Sequence, residues 1–317
     1  MAKVSNLSVV LLIAALIAAS SSVFAEDNDE LRKELRRAAL IDDVETIETL
    51  LDKGVNVDAP NKFGRTALMN ASENGNIVSA SVLIARGADV NALSVAQCSP
   101  LTLAAEMGEV EMTALLIERG ADMARKTRSG WNAMMVASQY GLLEMVQQLV
   151  FKGAPVNDQD NDGHTSLMLA AAASKTDVVK ELIAAGADIH IKDKLGKTAL
   201  MHAAEQKDIA VVETLLEAGA KVNETSADGA TPLIWAAGKG NDAVVTLLLQ
   251  NGADINAKDN NGLVALSEAI DVRSVEVVKR LLERGADVSI KDKDGNTPIQ
   301  LGVNSRSTPI RKLFEKE

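Results

Sequence analysis

A glycine returns every 33 residues along this chain, at Gly54, Gly87, Gly120, Gly153, Gly186, Gly219, Gly252 and Gly285. From the second occurrence onward an alanine follows it. A second set, Gly64, Gly130, Gly163, Gly196, Gly229, Gly262 and Gly295, keeps the same period, with Gln97 in the one gap. Glycine is favoured where the backbone turns left-handed, so two ladders in one register mark two turns in every unit. Units this short bury their apolar faces only against their neighbours, which gives a stacked solenoid rather than a globule.

Each unit reads as helix, turn, helix and extended finger. The first helix opens on a capping hydroxyl at Thr66, Ser99, Thr165, Thr198, Thr231 or Thr297. Proline holds the first helical position at Pro100, Pro232 and Pro298, where its missing N–H leaves nothing unpaired. Small pairs such as Ala104-Ala105 and Ala203-Ala204 let neighbouring helices approach closely. The second helix carries a buried stripe, as in Val211-Val212 with Leu215-Leu216. Its C-terminal glycine ends it, and segments such as Ala88 to Asn91 and Ala253 to Asn256 extend towards the next turn.

Thr231-Pro232-Leu233-Ile234-Trp235-Ala236-Ala237 and Asn251-Gly252-Ala253-Asp254-Ile255-Asn256-Ala257 resemble ankyrin repeats, whose unit is 33 residues with a Thr-Pro-Leu-His-x-Ala-Ala core. The resemblance implies an all-α repeat solenoid of helix-turn-helix units, each with a β-hairpin finger. About nine units are expected, two of them caps: residues 26–60, seven full repeats over 61–291, and 292–317. The chain departs from the pattern in places. Met69, Met135, Met168 and Met201 stand where His is usual, and Ser174, Lys207 and Arg273 replace the glycine between helices. Val264 occupies a capping position, at a cost of about 1 kcal/mol. Aromatics make up only 2% of a chain that is 47% apolar, as suits thin, closely stacked layers.

The first 25 residues differ from the rest. Lys3 precedes an apolar run from Val9 to Ala19, and Val23-Phe24-Ala25 supplies small residues at a cleavage site. Such a run falls short of the roughly 20 residues that span a bilayer. A signal peptide, residues 1–25, is expected to be cleaved after Ala25, leaving a periplasmic chain, or alternatively a secreted one, without membrane insertion. The net charge is −11 and becomes more negative by one with the loss of Lys3. Phosphate backbones and anionic lipids repel such a chain, so nucleic acid is not an expected partner. Cys98 is the only cysteine, which rules out an internal disulfide.

Motifs that look chemical dissolve into the repeat. Asp158-x-Asp160-x-Asp162-Gly163 copies the start of a calcium loop, but its twelfth place is Leu169 instead of a bidentate Glu. Gly196-Lys197-Thr198 copies the end of a phosphate loop, yet the upstream glycine is replaced by Ile191. His164, His190 and His202 show no metal-ligand spacing in sequence and no nearby Cys. No cofactor, metal ion or catalytic group is therefore expected. A lone thiol at Cys98, without a resolving cysteine or a local basic cluster, gives weak grounds for redox work.

The family resemblance implies that partners are gripped by the fingers and the exposed ends of the first helices. Carried over by residue, these are Phe63, Cys98 and Trp131 on fingers, with Glu73, Glu106, Met107, Gln139 and Tyr140 on helices. An exposed Trp131 and Tyr140 would serve as anchors; the alternative for Trp131 is packing against a neighbouring finger. Trp235 reads as core. Acidic residues recur at one helix position, Glu73, Glu106, Glu205 and Asp271, which predicts a partner with a basic patch and salt-sensitive association. The expectation is a monomeric, non-enzymatic scaffold that binds, protects or regulates an exported enzyme. Narrower or rival readings are an immunity-type inhibitor of a periplasm-acting toxin, a thiol-dependent oxidative-stress protein and a secreted host-directed effector.

Overall fold

The structure, a computed structural model, describes residues 29–315. The predicted signal peptide lies outside them. The chain divides into two compact units, one ending at Arg128 and the other beginning at Ser129.

The first unit holds α1 (29–40), α2 (Val44–Asp52), α3 (Ala67–Glu73), α4 (Ile77–Ala85), α5 (Pro100–Met107) and α6 (Val110–Glu118). First helices pack on first helices, α3 on α5, and second helices on second helices, α2 on α4 and α4 on α6. The second unit repeats the scheme with α7 (Ala133–Tyr140), α8 (Leu143–Phe151), α9 (Ser166–Ala172), α10 (Thr176–Ala184), α11 (Ala199–Ala204) and α12 (Ile209–Glu217). It continues through α13 (Pro232–Gly238), α14 (Asp242–Gln250), α15 (Ala265–Asp271), α16 (Val275–Glu283), α17 (Pro298–Val303) and α18 (Thr308–Phe314). Its odd-numbered helices form one layer, each packed on the next, and its even-numbered helices form the other.

The caps act mostly as expected. Thr66, Ser99, Thr165, Thr231 and Thr297 each accept a hydrogen bond from the backbone N–H three residues on. Thr198 does not, and Val264 has no group to do so. Asn132 supplies the cap of α7 instead of a hydroxyl. Met69, Met135, Met168 and Met201, in place of the family's histidine, are buried and fill the layer between helices. That exchange removes a polar group from the core and with it the need for a partner.

Both glycine ladders lie at positive φ, between +73° at Gly196 and +95° at Gly219. Gln97, Ser174 and Arg273 adopt the same left-handed conformation without being glycine. Neighbouring repeats therefore impose the turn against an intrinsic cost of about 1–2 kcal/mol.

The fingers differ from the expected β-hairpins. Among the described residues there is no strand, only an isolated bridge between Gln159 and Thr165. A side chain closes the turn instead. Oδ1 of Asn61, Asp160, Asp193, Asp259 and Asp292 accepts from the backbone N–H groups two and four residues on. With those donors taken by a carboxylate or amide, too few are left to build a ladder within the finger. Successive fingers are joined by single bonds, such as Val95 N–H to Phe63 O at 2.9 Å and Ala227 N–H to Leu195 O at 2.9 Å. At the opposite turn, Asn91, Asn157, Asn223 and Asn256 each accept through Oδ1 from a backbone N–H of the next repeat.

Candidate functional site

In the first unit the chain's expected contact residues gather around two consecutive fingers and two helix ends. Phe63 sits at the tip of a finger closed by Asn61, is 58% exposed, and has the Lys62 ammonium 4.9 Å from its ring centroid. Val95, at the tip of the next finger, is 57% exposed and bonded to Phe63 through the backbone. Sequence reasoning missed Val95, because a lone valine in a finger carries no signal until its neighbour is known. Met107, the last residue of α5, is exposed.

Behind these tips, Arg65, Glu73, Cys98 and Glu106 form a charged cluster. Arg65 pairs with Glu73 at the end of α3. Burial, then Glu73, push the Glu106 carboxyl above its ordinary value, against the pull of Arg65. Burial, then Glu106, likewise push the Cys98 thiol up, while Ser94 acts against them. A thiol held protonated in this way is a poor nucleophile. Cys98 in the folded chain should therefore alkylate with iodoacetamide at pH 7.5 more slowly than free cysteine, and Glu106→Gln should speed it. Reaction faster than free cysteine would contradict this assignment.

In the second unit Tyr140 ends α7 and is 58% exposed, with Gln139 half-buried beside it. Trp131 takes the alternative of packing against a neighbouring finger: it is half-buried, and its Nε1–H donates to Asp160 Oδ2 at 3.0 Å on the next finger. A donor on one finger facing a carboxylate on the next ties the indole to its neighbouring finger. The acidic helix position also differs from an unpaired stripe. Glu73 is matched by Arg65, and Glu205 by Lys197 at 2.7 Å and Lys239 at 3.5 Å. Glu106 and Asp271 remain without an ion pair among the described residues.

The motifs that mimic ion and phosphate sites belong to turns. Asp160 Oδ1 accepts from the N–H groups of Asp162 and His164, and Asp158 accepts from Asn132 Nδ2 at 3.3 Å. The Lys197 ammonium is taken by Glu205 Oε2 at 2.7 Å rather than left free for a phosphate.

Two contacts between consecutive repeats were not visible in the sequence. The His164 and His202 rings meet edge to face with centroids 5.5 Å apart. Lys197 Nζ stands 3.7 Å from the Trp235 ring centroid. Both pairs are separated by 38 residues, one period plus five, because a finger residue faces the first helix of the next repeat. Listing residues at that separation is the signal that would have found them. Trp235 is accordingly half-buried rather than core, and its Nε1 has no hydrogen-bond partner. One period further on, the same slot pairs Ala230 with Glu268, and the short alanine leaves a cleft of about 230 Å³ against Trp235 and Lys239. Burial, then Asp271 and Asp259, push the Glu268 carboxyl up.

No helix among the described residues is long and apolar enough to cross a membrane. Residues 35–127, 134–226, 167–259 and 219–292 match the family described as ankyrin repeats (3 copies). No curated protein matches the chain. Among solved structures, the crystal structure of the human ASB11 ankyrin repeat domain is similar, with a TM-score of 0.63 at 27% identity. The match covers 69% of this chain and 98% of that one. Family matches over most of the chain, together with the helix layers and the 33-residue period, establish that the chain belongs to the ankyrin-repeat family.

Proposed function

We propose that the chain is a non-catalytic scaffold, exported to the periplasm, that binds another protein through its finger tips and first-helix ends. Ankyrin repeats generally mediate protein–protein interaction. The observation that carries the choice of surface is the adjacent pair Phe63 and Val95, each more than half exposed at consecutive finger tips and held in place by a backbone bond. Apolar side chains fixed on a rigid turn lose little entropy on binding, which is how anchor residues act. Met107 extends that patch along the end of α5, and Tyr140 offers a second anchor in the other unit.

Export rests on Lys3, the apolar run and the small residues before Glu26. An exported enzyme is the proposed class of partner, which the scaffold binds, protects or regulates. The raised Cys98 thiol favours binding over a thiol-dependent role. With Glu73 and Glu205 already paired, the basic patch proposed on the partner meets chiefly Glu106 in the first unit.

Crosslinking in intact cells, purification of the captured protein and measurement of its affinity test this reading. Phe63→Ala with Val95→Ala should weaken binding by about 30-fold or more, the loss of one hot spot of about 2 kcal/mol. Unchanged affinity of the folded double variant would remove this surface from consideration. The mature protein should begin at Glu26 when its mass is measured; retention of residues 1–25 would overturn the export proposal.

A further inference from the structure

We propose that His164, Asp193 and His202 form a binding site for one divalent transition-metal ion of the zinc class, clipped between two consecutive repeats. His164 lies on one finger, Asp193 opens the next, and His202 stands on α11 of that second repeat. Their ligand atoms all lie within 4.8 Å of one another. Asp193 Oδ2 is 2.8 Å from His202 Nε2 and 3.6 Å from His164 Nε2. Ligands about 2.0–2.1 Å from a tetrahedral zinc ion lie roughly 3.3 Å apart, so the two observed separations bracket what an ion requires.

The three groups are held by their surroundings. Asp193 has a side chain 1% exposed, and its Oδ1 accepts from the Leu195 and Lys197 N–H groups, leaving Oδ2 aimed between the imidazoles. His164 Nδ1 lies 3.2 Å from Asp160 Oδ2. In the tautomer whose Nδ1–H donates there, Nε2 offers a lone pair 3.6 Å from the Asp193 carboxylate, which is also an acceptor. A cation bound here would take the place of the proton that His202 Nε2 and Asp193 Oδ2 share at 2.8 Å and would also satisfy His164 Nε2, 3.6 Å from the same oxygen. Asp160, which also takes the Trp131 indole N–H, is the outer carboxylate that commonly orients a metal-bound histidine.

Two imidazole nitrogens and one carboxylate oxygen suit Zn²⁺, Co²⁺, Ni²⁺ or Cu²⁺ and not the oxygen-seeking Mg²⁺ or Ca²⁺. Three protein ligands leave a fourth position, and the His164 side chain, 28% exposed, gives water access to it. Because the ligands come from neighbouring repeats, an ion here ties one layer to the next. Its binding raises the stability of the folded chain by mass action. This inference does not depend on the protein-binding surface.

The untagged full-length mature chain is titrated with Zn²⁺ by calorimetry and with Co²⁺ by visible absorption, and its melting temperature is measured with each. One equivalent should bind, with tetrahedral Co²⁺ bands and a rise in melting temperature that saturates at that equivalent. His164→Gln and His202→Gln should each weaken Zn²⁺ binding by at least about 100-fold, more than the loss of an outer-shell partner. His190→Gln should bind as wild type does, since His190 lies at the opposite turn beside Glu224. If wild type takes up no Zn²⁺ and shows no melting shift, the proposal falls. It falls equally if either cluster variant, folded by circular dichroism, binds Zn²⁺ as tightly as wild type.

Discussion

Gly196→Ala is expected to destabilise the second unit by about 3 kcal/mol or more, whereas Gly219→Ala should cost only about 1–2 kcal/mol. Both glycines have positive φ, +73° and +95°, so both substitutions place a Cβ on a left-handed backbone. They differ in what that Cβ meets. At Gly219 nothing lies within 4 Å. At Gly196 the added carbon would lie 2.5 Å from Ala227 N, 3.1 Å from Ser226 C and 3.2 Å from Ala227 Cα, all backbone atoms that no rotamer change can move. Ala227 N–H, on the next finger, is the donor that ties that finger to O of Leu195, the residue before Gly196. Relief of the clash must therefore break the bond between fingers. Trp131 and Trp235 both lie in this unit, so urea unfolding followed by tryptophan emission reads the difference directly. Equal costs for the two variants would show that the finger row is loosely held.

Residues 33 apart made the backbone of this protein legible before any coordinates. The two glycine ladders mark its two left-handed turns, and even Gln97 takes the glycine geometry that its place in the ladder demands. The capping hydroxyls and the buried stripe of each second helix follow from local pattern in the same way, since their partners are three or four residues distant. The fingers misled for a physical reason: the Asx residue that opens five of them, readable as a simple turn former, also takes the donors that a β-ladder would use. Side-chain environments were harder still. What Trp131 touches is decided by Asp160, 29 residues on, and what Lys197 touches is decided by Trp235, 38 residues on. Reading one position at a time therefore left Trp131 between an exposed anchor and packing on a neighbouring finger and assigned Trp235 to the core; both are half-buried. His164 and His202 looked unrelated because spacing rules for metal sites assume ligands on one helix or loop. A solenoid instead brings together residues one period and a few positions apart.

Lys197 tests how much these contacts between repeats matter. Its side chain is 7% exposed, its ammonium donates to Glu205 Oε2 at 2.7 Å, and its Nζ stands 3.7 Å from the Trp235 ring centroid. Lys197→Ala should cost about 3 kcal/mol, because it leaves Glu205, 16% exposed, facing only the more exposed Lys239 and opens a void over the indole. Lys197→Met restores the apolar stem but not the charge, so it should recover only part of that loss. Removing both charges, Lys197→Met with Glu205→Gln, should return stability to within about 1 kcal/mol of wild type, since a buried ion pair often contributes little net stability over a neutral pair of similar volume. The cycle should thus give a coupling energy of about 1–3 kcal/mol, measured by urea denaturation. A coupling near zero would mean that Lys197 acts through its methylenes alone and that the charge it carries into the stack is incidental. A large one means that this slot between repeats is specified by charge. The neighbouring slot, where His164 and His202 meet over Asp193, is then the second polar contact in succession that fixes which repeat can stack on which.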